Sequence, residues 1–247
     1  MVSNTLQQAA SKPSSHSLAF QFSEKDISIA SIARYFGGRS GYKPDEKTQQ
    51  RIRRCLRSAS ELVTPRAVYS LQQVNTILPG NKISLTGGSE IPLPDCFDDS
   101  GCTLIAAVIG TLGPDLEGHS HFLATNGNIY ESTLFDAIGT AMLDLLSDWA
   151  CKRIESHARR QKLHRGNRFS PGLDGYPMAH QELLFHLVDS QLVGVQLNSS
   201  NIMAPAKSVS FFLMLSKKTG KRVTENKCSS CRLQNCQFRT AAAGSRQ

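Results

Sequence analysis

The chain has 247 residues, enough for one large domain or two small ones, and its 40% hydrophobic and 19% charged content describes a globular protein with a real core. No window approaches the roughly 18 continuous apolar residues of a membrane span. The N-terminus lacks the basic-then-apolar pattern of a secretory signal. Of the formal charge of +8, residues 217–247 carry a net +7, which argues against a nucleic-acid groove across the body of the fold.

Residues 1–17, with Gln7, Gln8, Ser11, Pro13, Ser14 and Ser15, read as a flexible polar arm. A short helix is expected over Ile29 to Tyr35, stopped by Gly37 and Gly38. Pro44-Asp45-Glu46 opens a second helix, with acidic residues where the macrodipole favours them. Its apolar positions Ile52, Cys55, Leu56, Ala59 and Leu62 keep a three/four spacing, and Thr64-Pro65 ends it. A strand follows at Ala67 to Leu71. Val74 to Leu93 alternates between Pro79-Gly80 and Gly87-Gly88 and predicts hairpin-like β structure.

Asp95, Asp98 and Asp99 form an acidic loop, either solvated or near a ligand. Cys102 to Gly110 is apolar throughout, hence a strand covered on both faces. The longest helical pattern runs from Ile129 to roughly Arg160, with Leu134, Ile138, Ala141, Leu145, Trp149 and Arg153 on one side. Gly139 lets a neighbour approach it closely. The basic exit, from His157 to Arg165, is either a solvated helix end or a surface that steers an acidic partner.

Arg168-Phe-Ser-Pro171-Gly172 then enters a Pro/Gly-shaped loop through Tyr176-Pro177. A short amphipathic helix, a strand at Val193 to Leu197, a polar loop and a strand from Lys207 to Leu215 complete the body. An arginine held by rigid turns suits a planar anion such as a carboxylate, and the alternative is a solvated side chain beside an ordinary turn. His180 and His186 stand six apart on the helix and do not share a ligand face.

Arg-x-x-Pro-Gly, the helix, Val-Gly-Val-x-Leu and Pro205-x-x-Ser208-Val209-Ser210 together resemble the activation (reactivation) domain of cobalamin-dependent methionine synthase. The likeness is closer to stand-alone proteins with a cysteine-rich end. Thr111-Leu112-Gly113 and Asp136 to Ala141 resemble the same family. The resemblance implies an α+β fold: a single domain with a twisted, mainly antiparallel sheet and flanking helices. It implies S-adenosylmethionine at Arg168, Pro171, Gly172 and Tyr176. An acidic residue of the long helix would face its cationic end: Asp144, Asp148, Asp136 or Glu155. Here Leu173, Asp174 and Gly175 separate Gly172 from Tyr176, a departure from the family pattern that bears on the tyrosine's role.

Cys228, Cys231 and Cys236 form a CxxC with a third cysteine five residues on. Two thiols at that spacing can grip one metal, and nearby Lys227, Arg232 and Arg239 favour the thiolates. Zinc or an iron–sulfur cluster is expected, completed by a ligand from elsewhere such as His157 or His164; the alternative is a redox-sensitive tail without metal. The other cysteines, Cys55, Cys96, Cys102 and Cys151, read as small buried side chains of a reduced, cytoplasmic protein.

These observations give a flexible arm over 1–17, an activation-like domain over 18–216 and a basic cysteine-rich tail over 217–247. The resemblance implies an activation subunit of a methyltransferase system, with no catalytic side chain of its own. It would transfer methyl from S-adenosylmethionine to reduced cobalamin on a separate protein, with electrons from a reductant protein. The partner is methionine synthase or another corrinoid methyltransferase. The rival class is a non-catalytic binding module with a metal-binding tail. With only Phe238 as an aromatic, that tail is poorly suited to stack on bases, so nucleic acid is not expected as a partner.

Overall fold

The structure is a computed structural model, and it describes residues 14–37, 42–94, 101–173 and 175–217. Its framework is a mostly antiparallel sheet. The strands are β1 (Ser15–Ala19), β2 (Arg66–Leu78), β3 (Lys82–Leu85), β4 (Glu90–Pro92), β5 (Cys102–Thr111), β6 (His164–Phe169) and β9 (Ser208–Ser216), in the order β4-β3-β2-β5-β9-β6, with β1 also on β2. A two-stranded ribbon, β7 (Gln196–Leu197) and β8 (Met203–Ala204), lies apart from it. The helices are α1 (Ile29–Tyr35), α2 (Glu46–Leu62), α3 (Asp115–Thr125), α4 (Ile129–Ala158) and α5 (His180–Leu187). The fold class is therefore α+β in one domain, as the sequence predicted.

Side-chain alternation sets the layers. On one face, Ala67, Tyr69, Ala106, Val108, Phe211, Leu213 and Leu215 pack against Ala150, Cys151, Ile154 and Ala158 of α4. On the other, Val68, Ile105, Ala107, Ile109, Phe212 and Met214 meet Leu184 and Leu187 of α5 and the curled β3–β4 hairpin. The central strand β5 is apolar because helix or hairpin covers it on both sides. A third cluster joins the first half of α4 to α1, α2 and α3 through Leu134, Ile138, Met142 and Leu146.

α2 starts where Asp45 caps the backbone N–H of Thr48 at 2.8 Å and ends before Thr64-Pro65, as its sequence signals require. The buried stripe of α4 continues from Ala141 and Met142 through Leu146, Ala150, Ile154 and Ala158. It corrects the expected continuation through Leu145, Trp149 and Arg153. α4 is apolar on more than one side because it packs both on the sheet and on three helices, so its composition allowed either stripe.

Two further expectations change. Val193 to Leu197 is not one strand: Ser190–Val193 is a 3-10 turn, Gly194 sits at φ +71, and only Gln196–Leu197 pair with β8. A left-handed glycine breaks the extended run. α3 has no clear signal in the sequence, because its His/Ser/Gly-containing run lacks an apolar stripe. β1 begins at Ser15, inside the stretch read as a polar arm.

Candidate functional site

The loop after β6 is held at its root by aromatic packing. Phe169, the last residue of β6, sets its ring 5.2 Å from Phe212 and 5.1 Å from Tyr176. The residues between Gly172 and Tyr176 close on themselves. Gly172 donates its N–H to the Tyr176 carbonyl at 2.8 Å, Tyr176 donates to the Leu173 carbonyl at 2.8 Å, and Leu173 donates to the Ser170 carbonyl at 3.1 Å. These bonds bring Gly172 and Tyr176 together across the insertion.

Gly172 takes φ +81, a conformation that favours glycine, and a Cβ there would stand 2.6 Å from the terminal Cε of the exposed Met178, which would have to shift aside. Pro171 is buried beside it. Tyr176 is buried, with a hydroxyl that has no hydrogen-bond partner among the described residues. Burial pushes its phenol well up. Its ring packs 4.6 Å from His180, whose Nδ1 is likewise unpartnered and whose imidazole burial pushes down.

Arg168 projects to the α4 face of the sheet, since it pairs with Leu213 across β6–β9. Its Nη1 lies 3.5 Å from Asp148 Oδ1, and its guanidinium carbon lies 5.1 Å from the ring centroid of Phe211. Burial pushes the thiol of Cys151, one turn further along α4, upward against the pull of Arg168 and Arg165. Arg168 is therefore a guanidinium over an aromatic floor, 20% exposed and tied to one exposed carboxylate.

A cavity of about 280 Å³ opens on the neighbouring flank. Ser170, Pro171, Leu173, Met178, Gln181 and Ile202 contribute to its wall, with Met203, Ala206 and the consecutive β9 residues Ser208, Val209 and Ser210. Consecutive strand residues point to opposite faces, so a cavity touching all three wraps the strand's edge. That edge is open because β6 pairs with β9 only from Phe212 to Ser216. The end of β6, which carries Arg168, the loop after it and the edge of β9 that β6 leaves open thus frame one site.

The remaining candidates sit apart from one another. Asp144 accepts from the hydroxyl of Tyr35 and lies 3.8 Å from Arg34, at the α1 side of α4. Asp136 pairs with Lys207 Nζ at 2.7 Å, and Lys207 also reaches Thr140 Oγ1 at 3.2 Å. Gly139 makes room for that lysine: a Cβ there would lie 3.1 Å from Lys207 Cε and 2.8 Å from Leu116 Cδ2. Glu155 is buried and faces Arg159 at 3.5 Å. Of the acidic residues expected near the ligand, only Asp148 meets Arg168.

Gln181 and the open edge of β9 were not found from sequence, since a glutamine on a short helix leaves no periodic signal. Cys102 and Cys151 are buried and Cys55 half-buried, in keeping with their apolar surroundings. Cys228, Cys231 and Cys236, together with Cys96 and the acidic loop, lie outside the described residues. Among those described, no group of three or more His, Cys, Asp or Glu could hold a metal, and no helix is long and apolar enough to cross a membrane.

No protein-family model and no curated protein matches the sequence. Solved structures do. One is the crystal structure of the MetH reactivation domain bound to AdoHcy, with a TM-score of 0.65 and 16% sequence identity over 86% of this chain and 81% of that one. At that identity the likeness is one of fold.

Proposed function

We propose that this chain binds S-adenosylmethionine at the open edge of β9 and serves as the reactivation subunit for a corrinoid methyltransferase, with cobalamin-dependent methionine synthase as the target. The observation that carries this is the placement of Arg168, beside an unpaired strand edge and a small cavity. The sequence likeness to the activation domain and the fold likeness to a reactivation domain support it.

The residues suit the ligand. Arg168 and Asp148 form a single long contact with Asp148 60% exposed, so the pair is easily parted. A methionyl group carries a carboxylate and an ammonium side by side. Inserted between the two residues, it gives Arg168 a carboxylate that its fork grips bidentately and gives Asp148 a cation. The unpaired backbone groups of β9 offer hydrogen bonds along the rest of the molecule. When bound, S-adenosylmethionine supplies an electrophilic methyl group, and the partner's reduced cobalamin is its acceptor. This chain's residues hold and orient; none needs to act as nucleophile or base.

Residues 18 to about 216 form the working unit in this proposal, in a cytoplasmic setting with a separate reductant protein. Cys228, Cys231 and Cys236 are proposed as zinc or iron–sulfur ligands, and metal content after reconstitution tests that part. Calorimetry with S-adenosylmethionine on the wild type and Arg168→Ala tests the binding. Loss of a charged hydrogen-bond partner should weaken it by about 1.5–3 kcal/mol. No binding by the wild type, with a corrinoid partner present, sinks the proposal. Growth rescue of a methionine synthase core without its own activation domain separates that target from other corrinoid systems.

A further inference from the structure

Resting on the methyl-donor reading, we propose that Gln181 is the specificity-determining contact for the nucleobase of the bound ligand, donating its side-chain amide hydrogen to a ring nitrogen of adenine in the cavity behind the Pro171 loop.

Among the described residues, those that line the cavity, from Ser170 and Pro171 to Gln181 and Ser210, include no ionisable side chain. A phosphate or an amino-acid zwitterion would find no counter-charge among these described residues, and burying either one unpaired is costly. Pro171, Leu173, Met178, Ile202 and Met203 present apolar surface suited to the flat faces of an aromatic ring. At about 280 Å³ the space lies at the lower end of ligand pockets, enough for one part of a cofactor and not the whole. Its wall begins at Ser170, two residues past Arg168. Three residues of extended chain reach at most about 11 Å, so one adenosyl-methionyl molecule spans both places around the β9 edge.

Gln181 brings to that wall a side-chain amide held by a buried partner. It is 2% exposed, and its Oε1 accepts from the Ser210 hydroxyl at 2.9 Å in a buried bond. That bond commits the oxygen, which leaves the amide nitrogen as the donor that Gln181 brings to the cavity wall. The hydroxyl proton of Ser208 is likewise spent, on Thr111 Oγ1 at 2.9 Å. A fixed donor in an apolar slot selects for an acceptor on the edge of a planar ligand, because an analogue lacking it leaves the donor unpaired.

The test compares S-adenosylhomocysteine with its 1-deaza, 3-deaza and 7-deaza adenine analogues by calorimetry on the full chain. The wild type should bind one of the three analogues roughly tenfold more weakly than the parent, the cost of one buried unmade hydrogen bond. In Gln181→Leu that discrimination should vanish, with all four ligands within about twofold of one another. Gln181→Glu keeps an acceptor for Ser210 and the side-chain shape, guards against misfolding of the leucine variant, and should lose the discrimination as well. Equal binding of all four ligands by the wild type overturns the role of Gln181, as does discrimination that persists in either variant. A wild type that binds none of the four overturns the methyl-donor reading beneath it.

Discussion

Arg168 Nη1 stands 3.5 Å from Asp148 Oδ1, an ionic contact between β6 and α4 over the ring of Phe211. Asp148 is 60% exposed, so water screens most of the attraction and the pair adds at most about 1 kcal/mol to folding. Asp148→Asn should therefore leave the denaturant midpoint nearly unchanged. If Asp148 faces a ligand ammonium, the same change should weaken S-adenosylmethionine binding by roughly tenfold, in line with a hydrogen bond to a charged group. Equal losses in stability and binding would instead make the residue a strut.

Gly172 closes the insertion by donating to the Tyr176 carbonyl while holding φ +81, a region that L side chains adopt at a cost of roughly 1–2 kcal/mol. Gly172→Ala should destabilise the protein by about that amount and also press on Met178 Cε, 2.6 Å from the new methyl. Combining it with Met178→Ala should recover the steric part and leave the backbone part. Urea midpoints of the two single variants and the double variant separate them. A Gly172→Ala protein as stable as the wild type would show that the loop has another conformation available.

The sequence revealed the long elements and the arginine loop but not how the loop's residues divide between core and surface. α2, β5, α4 and β9 announce themselves through caps, apolar runs and length. The Arg-x-x-Pro-Gly pattern located the loop. Its tyrosine is expected beside the ligand, and the structure shows the Tyr176 ring buried against Phe169, a packing that the loop motif does not announce. Asp144 and Asp148, one turn apart, looked interchangeable. Only the fold decides that one meets Tyr35 and the other Arg168. Gln181 matters because Ser210, far along the chain, fixes its amide, and such a pairing leaves no local trace. Lys207 likewise reads as an exposed strand-end lysine until α4 brings Asp136 and Thr140 to it.

Tyr35 links α1 to α4 by donating its hydroxyl to Asp144. Burial, then the Asp144 carboxylate, pushes its phenol up to about 12. A folded-state value above the ordinary one, about 10, means that folding favours the protonated phenol. That stabilisation is complete below pH about 10 and is lost as pH rises toward about 12. Phenolate absorbance should show Tyr35 and Tyr176 titrating late, and Tyr35→Phe should remove one of the late phenols and leave the other. Tyr35→Phe should also flatten the fall of the urea midpoint across that window. A wild-type midpoint that does not fall there would mean that the α1–α4 contact opens before the phenol ionises.

His180 offers the opposite case. Its ring packs on Tyr176, its Nδ1 has no partner among the described residues, and burial pushes its titration below the ordinary value, about 6.5. Folding then favours the neutral imidazole. The associated stability is present above pH about 6.5 and is lost as pH falls through the depressed folded-state value, because the unfolded chain takes up the proton first. The urea midpoint should therefore drop as the pH is lowered below about 6.5. In His180→Phe, which keeps a flat ring against Tyr176 and removes the unpartnered nitrogen, the drop should be shallower and the neutral-pH stability at least equal to the wild type. Ring-proton chemical shifts of His180 followed through the same range report its titration directly. A ring that titrates at the ordinary value would show that water reaches it, and with it the underside of the Gly172–Tyr176 turn.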